Sequence, residues 1–468
     1  MADNFDLVIV GAGSAGLVAA GFAAQLGARV ALVERARVGG DCTWTGCVPS
    51  KALIRVARVA HAVRTAAQYG IGTAPPAVDM AQVRAYVRQA IAEVYQYETP
   101  ETLRAAGVEV ILAPGRFLDA QTLQAGDRRL TAKVFLLCTG ARPVLPPIAG
   151  LAGVPYLTYE QLFDNDRLPA HLLVAGGGPL GLEMAQAYAR LGAQVTVVAE
   201  RLLPREEPEV AAVLEPVLAG EGIHFARARA QAVHAEGAEL VVQAGPTTVR
   251  GDLLLVATGR RPVVAGLDLE KAGVAYTAQG IGVDSHLQTS VKHIYAAGDC
   301  VGGAQYTHLA GWQAFQAVRN ALLPGSSAGF SDAVPAVTFT DPEVARVGCT
   351  AAAARQTHGA GVVVSRWDLA HADRAVVEND RHGFYQVVHK KDGTVLGATI
   401  VAARAGEAIT ELTIALQRGL KVSDLAGAIH AYPTYATPVQ QLAARVAVAD
   451  TLGGLTGKLL RGFARGGG

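Results

Sequence analysis

Residues Leu7-Val8-Ile9-Val10 form an unbroken apolar run with no alternating polar positions. A strand buried on both faces reads this way. Gly11-Ala12-Gly13-Ser14-Ala15-Gly16 follows, then small and apolar residues to Leu26, then a second apolar run from Arg29 to Val33 that ends at Glu34. The pattern predicts a strand over Asp6–Val10, a glycine turn, a helix to Leu26 and a strand over Arg29–Val33. The same order recurs downstream. His171–Ala175 reads as a strand and Gly176-Gly177-Gly178-Pro179-Leu180-Gly181 as the turn, before a helix to Leu191 and a strand over Gln194–Val198. Each copy closes on a similar turn, Cys138-Thr139-Gly140-Ala141-Arg142-Pro143 in the first and Ala257-Thr258-Gly259-Arg260-Arg261-Pro262 in the second.

Gly11 and Thr139 stand 128 positions apart and Gly176 and Thr258 82, so the first copy carries 46 more residues. A cysteine pair and two helix-like segments, Ala52–Tyr69 and Met80–Ala105, fall in that excess. The chain returns to a strand pattern at Ile294-Tyr295-Ala296-Ala297-Gly298-Asp299. After Ser326-Ser327-Ala328-Gly329 come strand patterns over Ala336–Phe339, Gly361–Ser365, Gly383–His389 and Val395–Val401, with helices from Glu407 onward. The fold class expected is α/β, with two Rossmann-like dinucleotide-binding domains and a C-terminal α+β domain. The expected boundaries are 1–150 for the first domain, 151–269 for the second, 270–330 for a return to the first, and 331–468 for the last.

The glycines carry the first chemistry. Gly11, Gly13 and Gly16 allow a tight turn and bring a pyrophosphate close to a helix N-terminus, and an acid at the end of the second strand, here Glu34, accepts from ribose hydroxyls. Gly176, Gly178 and Gly181 repeat the pattern. There the offset matching Glu34 falls on Ala199, with Glu200 one later; a carboxylate favours NADH, whereas Arg201 and Arg205 favour the 2′-phosphate of NADPH. Between the two nucleotide sites lies Gly39-Gly40-Asp41-Cys42-Thr43-Trp44-Thr45-Gly46-Cys47-Val48-Pro49-Ser50-Lys51. Two sulfurs at a helix start, where free N–H groups favour a thiolate, read as an electron relay from nicotinamide to flavin to sulfur to substrate.

Composition narrows the rest. Lys+Arg 41 against Asp+Glu 40 gives no global signal for nucleic acid or anionic lipid. Five cysteines in 468 residues are no disulfide scaffold, so a reducing, cytoplasmic setting is expected. Leu7 to Ala28 is uncharged, but seven of its residues are Gly or polar and the strand–turn–helix reading explains it better than a membrane span. The start, Met-Ala-Asp-Asn-Phe-Asp, lacks the basic opening of a secretory signal.

With these motifs the chain resembles the class I pyridine nucleotide–disulfide oxidoreductases over essentially its whole length. The resemblance rests on the Gly11 fingerprint, the CxxxxC pair, both TGxRP turns, Gly298-Asp299 and Phe339-Thr340-Asp341-Pro342-Glu343. It implies FAD in the first site, NADH or NADPH in the second, and a homodimer whose C-terminal dimerisation domain completes the partner's active site. It further implies that Cys47 faces the flavin, that Cys42 meets the substrate, that Lys51 and Glu183 pair near the flavin ring, and that Asp299 holds the ribityl chain or a pyrophosphate-bound water. By the same likeness Ala15, Gly40, Asp41, Gly115 and Arg116 line the first nucleotide site. So do Thr139, Gly140, Arg142, Leu309 and Ala310, while Gly259 and Arg260 belong to the matching turn of the second copy.

One departure matters most. Disulfide reductases of this family carry His-Pro-Thr-x-x-Glu, a histidine acid–base oriented by a glutamate; this chain reads His430-Ala431-Tyr432-Pro433-Thr434-Tyr435-Ala436-Thr437. Positioned acid–base catalysis contributes about 10²–10⁴-fold, and a phenol near pKa 10 does not shuttle protons at neutral pH as imidazole does. Tyr432, together with Tyr156 in Val154-Pro155-Tyr156-Leu157-Thr158, resembles the mercuric reductases, in which a soft cation sits on two thiolates. Cys42 and Cys47 are then the expected metal-holding residues. In two respects the expectation departs from those enzymes: neither a terminal cysteine pair nor a metal-carrier segment before Met1 is expected here. Trp44, where relatives carry Asn, is expected to crowd the space between the sulfurs, and Cys138, Cys300 and Cys349 are expected to be structural.

Three functions follow as alternatives: an NAD(P)H-dependent reductase of soft metal ions or small electrophiles, a disulfide reductase with an atypical acid, and a slow redox-sensing flavoprotein. His430 is either a compensating acid or a packing residue. The basic tail, Lys458 to Arg465, is expected to fray rather than to insert into a membrane.

Overall fold

A computed structural model describes residues 3–464. The chain forms two compact units, one of Met1–Gly177, Ala187–Glu200 and His224–Ser331, the other of Gly178–Gln186, Arg201–Ile223 and Asp332–Gly468.

In the first unit, β1 (Asp3–Val10), α1 (Ser14–Gln25) and β2 (Val30–Glu34) follow the predicted order. Next come α2 (Gly40–Trp44), α3 (Cys47–Thr65), α4 (Met80–Tyr95) and α5 (Pro100–Ala105), then β3 (Val108–Leu112), β4 (Gly115–Asp119), β5 (Thr122–Ala125) and β6 (Arg128–Leu137). The single helix expected over Met80–Ala105 is two. Thr99 caps α5 by accepting the Thr102 N–H, and Pro100 lacks the N–H that would continue α4. The sheet order is β3-β2-β1-β6-β5-β4, and the strand Ile294–Ala296 returns to pair in parallel with β6. Leu7 and Ile9 of β1 pack into one apolar cluster, Val8 and Val10 into another on the opposite face. Both sets are buried, which is why the run shows no alternation. Each such side chain contributes about 1.5–3 kcal/mol of burial.

The second glycine turn follows the first strand of a smaller sheet that contains His171–Ala175, Gln194–Val198, Leu253–Val256 and Ile223–Ala226, the first three paired in parallel. The two turns are built alike. A Cβ on Gly11 (φ +105°) would lie 2.3 Å from the Cys138 carbonyl oxygen, and one on Gly176 (φ +130°) 2.3 Å from that of Ala257.

In the second unit a five-stranded sheet runs Ala336–Thr338, Glu343–Gly348, Val395–Ala402, Phe384–Lys390, Val362–Asp368, packed with helices Ala405–Arg418 and Thr437–Leu452. Glu343–Gly348 was not expected as a strand. Its Glu343 is buried, accepting the Gly406 N–H at 3.1 Å, and its Arg346 is paired with Glu206 at 2.8 Å, so its charges hide its period. Instead of a frayed tail there is a helix over Gly454–Ala464 with Leu459, Leu460 and Phe463 exposed; Arg465 lies outside the described residues. No helix among the described residues is long and apolar enough to cross a membrane.

Candidate functional site

The two cysteines lie on two helices rather than one. Cys42 is inside α2, and Cys47 is the first residue of α3. Gly46 joins them, and a Cβ there would meet the Asp41 carbonyl oxygen at 2.7 Å. No disulfide joins the two sulfurs. Cys47 is exposed, with Sγ 3.2 Å from Oγ1 of Thr307, the first residue of the Thr307–Leu322 helix. Cys42 is half-buried. A hydrogen bond with Cys47 and then burial push its thiol well above the usual range, against weaker help from the Thr307 and Ser14 hydroxyls. Lys51 lies one turn beyond Cys47 on α3. Glu183 is buried in the other unit, accepting the Phe339 N–H at 2.9 Å.

Around the thiols the first residues of three helices converge: Ser14 and Thr307 on Cys42, and Cys47 on Thr307. Helix N-termini present unpaired N–H groups suited to an anion. The backbone there is close-packed. A Cβ on Gly40 would lie 2.6 Å from the Gly13 Cα, one on Gly16 1.9 Å from the Gly11 carbonyl oxygen, and one on Gly298 3.3 Å from Ala15 and 3.1 Å from Ala310, beside the buried Leu309. Glu34 ends β2 with both oxygens turned back to the chain, accepting the Ala12 and Ala36 N–H groups at 2.9 Å each. Gly115 packs against Val33 beside it, while Arg116 is exposed and bonds Gln124 at 3.1 Å. This cradle of glycines, helix starts and a strand-end acid fits a dinucleotide.

An arginine knits the cradle to the redox segment. Arg260 donates to Asp41, the residue before Cys42, at 2.5 Å and to Asp299 at 2.7 Å. Tyr159 donates to the same Asp41 oxygen at 3.1 Å and accepts from Arg260 at 3.3 Å. Burial pushes the Asp299 carboxyl above its ordinary value, opposed by the Arg260 charge. Burial opposes the charge on Arg260 too, but Asp299, Tyr159 and Asp41 hold it protonated. Nearby, the Thr139 hydroxyl donates to the Val263 carbonyl at 2.7 Å, Gly140 takes a positive φ, and exposed Arg142 pairs across strands with Arg261.

In the second copy the strand-end acid is absent. Ala199 is buried, its N–H donating to the Ala226 carbonyl, and exposed Glu200 accepts from Arg229 at 2.8 Å. Gly178 and Gly259 have open space where a Cβ would sit, Gly181 lies in the first turn of the Pro179–Leu191 helix, and Arg201 and Arg205 are exposed.

One aromatic expectation needs correction. Trp44 does not fill the space between the sulfurs. Its indole N–H donates to the Val38 carbonyl at 2.7 Å, and its ring packs on Arg37 at 4.0 Å and on Tyr95 at 4.7 Å. Tyr156 packs against the apolar cluster of Ile148, Leu151 and Leu173; it is Tyr159, three residues on, that meets the redox segment.

In the other unit Tyr432 is 67% exposed, and its hydroxyl donates to Asp373. Asp373 holds this phenol above its usual pKa, first through that hydrogen bond and then through its charge. Thr437 accepts the Thr434 N–H and donates to the Ala431 carbonyl, each at 3.2 Å, closing its own turn. His430 sits 2.8 Å from Glu411; burial works against its charge, but the Glu411 hydrogen bond raises its pKa overall. Tyr435 is buried and donates to Glu378 at 3.1 Å. Cys138 and Cys300 are buried and Cys349 exposed, and among the described residues no group of three or more His, Cys, Asp or Glu forms a metal site. Thr307, Tyr159, Asp373 and Glu411 are the site residues that sequence reasoning missed. Only Tyr159 had a local signal, the helix start of Thr158 with Gln161 three residues on.

The family described as pyridine nucleotide-disulphide oxidoreductase matches residues 5–314, and its dimerisation domain matches 334–443. The chain is 35% identical over 463 residues to a mercuric reductase of Streptomyces lividans, across 96% of this chain and 97% of that protein. It is 34% identical over 462 residues to a dihydrolipoyl dehydrogenase of Haloferax volcanii, across 95% and 96%. Among solved structures, the Cu(II) complex of the HOCl-induced flavoprotein disulfide reductase RclA from Escherichia coli aligns with a TM-score of 0.85 at 28% identity, across 95% of this chain and 100% of that one.

Proposed function

This chain belongs to the pyridine nucleotide-disulphide oxidoreductase family, and from that premise we propose that it passes electrons from NADH or NADPH to a soft metal ion or other small acceptor at Cys42 and Cys47. FAD, when bound, supplies the two-electron link between the nicotinamide and the thiols. In this reading residues 1–150 and 270–330 hold the FAD, 151–269 the nicotinamide, and 331–468 join two copies. Gly13, Ser14 and Gly40 receive the diphosphate on backbone N–H groups while Gly11, its own N–H held by the Val33 carbonyl, makes the turn; Glu34 takes a ribose, and Asp299 the ribityl chain. Lys51 and Glu183 stand at the flavin ring. Cys47 faces the flavin, and Cys42 presents its thiol to the acceptor, with Tyr432 of the second copy beside it. A soft cation suits two sulfur ligands.

The observation that carries the acceptor assignment is the loop 430–437. Tyr432 stands where disulfide reductases use histidine, and Thr437, in the glutamate position, spends its hydroxyl inside its own turn. The hydrogen-bonded His430–Glu411 pair supports a second reading, a disulfide reductase with a displaced acid. The test is NAD(P)H oxidation by the FAD-loaded protein with Hg²⁺ or Cu²⁺ set against glutathione disulfide and lipoamide. Metal-dependent oxidation that needs both cysteines, inhibited at higher metal loading as the ion stays on the pair, is the expected result. High turnover with either disulfide and none with metal would overturn the acceptor assignment.

A further inference from the structure

The phenol of Tyr432 has one proton, and the structure commits it. A carboxylate accepts only, so the hydrogen bond between Tyr432 and Asp373 uses the phenolic O–H. The exposed side of the oxygen then offers lone pairs. The neighbours do not replace the lost proton. Both ring nitrogens of His430 are engaged, Nδ1 with the Ala428 carbonyl at 3.1 Å and Nε2 with Glu411 at 2.8 Å. The loop is also clasped at a second point. Buried Tyr435 donates to Glu378, at the far end of the same short helix Asp373–Val377 that supplies Asp373.

We propose that Asp373 is a positioning residue that sets the acceptor class, turning the Tyr432 hydroxyl inward so that it presents a lone pair rather than a proton. This rests on the reading that Tyr432 reaches the acceptor at the thiol pair of a second copy. The chemistry separates the two acceptor classes. Reduction of a disulfide, RSSR + 2e⁻ + 2H⁺ → 2RSH, must protonate two leaving thiolates. Reduction of a soft divalent cation, M²⁺ + 2e⁻ → M⁰, takes up no proton and gains from an oxygen lone pair nearby. In both cases NAD(P)H supplies the electrons, releasing NAD(P)⁺ and one H⁺. The orienting carboxylate that the disulfide reductases place five residues after the catalytic side chain comes here from another helix, and its effect on the proton is the reverse.

The test uses the full-length, FAD-loaded protein and its D373A, D373E and Y432F variants, with bound flavin as the check on folding. Oxidation of NAD(P)H is followed with glutathione disulfide and lipoamide in one arm and with Hg²⁺ in the other. Freeing the phenol in D373A should raise kcat/KM for disulfide about tenfold or more, a part of the 10²–10⁴ available to a positioned acid. It should lower kcat with Hg²⁺, and D373E should restore both. The disulfide gain should vanish in D373A/Y432F, since no hydroxyl remains. A flavin-replete D373A with unchanged disulfide kcat/KM, or a gain that persists in D373A/Y432F, overturns the assignment. A disulfide gain in D373A with no Hg²⁺-dependent turnover in the wild type upholds Asp373 and overturns the metal reading instead.

Discussion

Gly11→Ala and Gly176→Ala should have matched costs to stability and opposite costs to function. Each residue has a positive φ, and each Cβ would lie 2.3 Å from a backbone carbonyl oxygen. A strained backbone conformation costs about 1–3 kcal/mol, and forcing apart a packed contact about 1–3 more. A sum of about 2–6 kcal/mol lowers the melting temperature of a domain of this size by about 5–20 °C. Gly178→Ala is the control, because open space surrounds its Cβ position. The variants are purified, melted without added nucleotide, and assayed for bound FAD by absorbance and for NAD(P)H binding by fluorescence. Gly11→Ala should lose FAD; Gly176→Ala should keep FAD and lose NAD(P)H binding; Gly178→Ala should melt within about 2 °C of the wild type. Retention of FAD by Gly11→Ala, with melting equally unchanged, would refute the argument that the carbonyl contact dictates glycine.

Two-electron reduction should give a long-wavelength band between the sulfur nearer the flavin and FAD, lost in Cys47→Ser and kept in Cys42→Ser; the reverse pattern, read by anaerobic titration, would exchange the two roles. Asp380 supplies a pH signature. Burial, then the charge of Asp341, push its carboxyl up to about 6. A raised carboxyl contributes its full stability below the unfolded value of 3.8 and loses it as pH rises through about 6. Asp380→Asn should therefore melt higher than wild type at pH 7, by about 1–3 kcal/mol at 1.36 kcal/mol per unit, with the gap closing near pH 4; a gap independent of pH would dismiss the assignment.

What was legible in the sequence was what the backbone demands locally. Leu7 to Val10 announced a strand buried on both faces, and Gly11 and Gly176 announced turns where a carbonyl leaves no room for a side chain. The break between α4 and α5 was in view as Thr99-Pro100, but the apolar period on either side masked it. The site's partnerships were not legible, because they span the chain: Tyr159 to Asp41 across 118 positions, Cys47 to Thr307 across 260, Tyr432 to Asp373 across 59. No local period carries such information. Trp44 was misjudged for a related reason: its indole N–H finds the Val38 carbonyl, and that hydrogen bond turns the ring from the sulfurs.

Arg260 has a mechanical meaning beyond its charge. It sits on the turn that closes the second glycine copy, yet its two terminal nitrogens grip Asp41, next to Cys42, and Asp299, in the first copy's own sheet region. The guanidinium is a rigid fork, so it cannot follow one carboxylate without leaving the other. A displacement of that turn by about 1 Å would carry one contact beyond hydrogen-bonding range. A shift of that turn would thereby pull on the backbone of the segment carrying Cys42, and the arginine serves as a tie-rod between the closing turn of the second copy and the cysteine segment of the first.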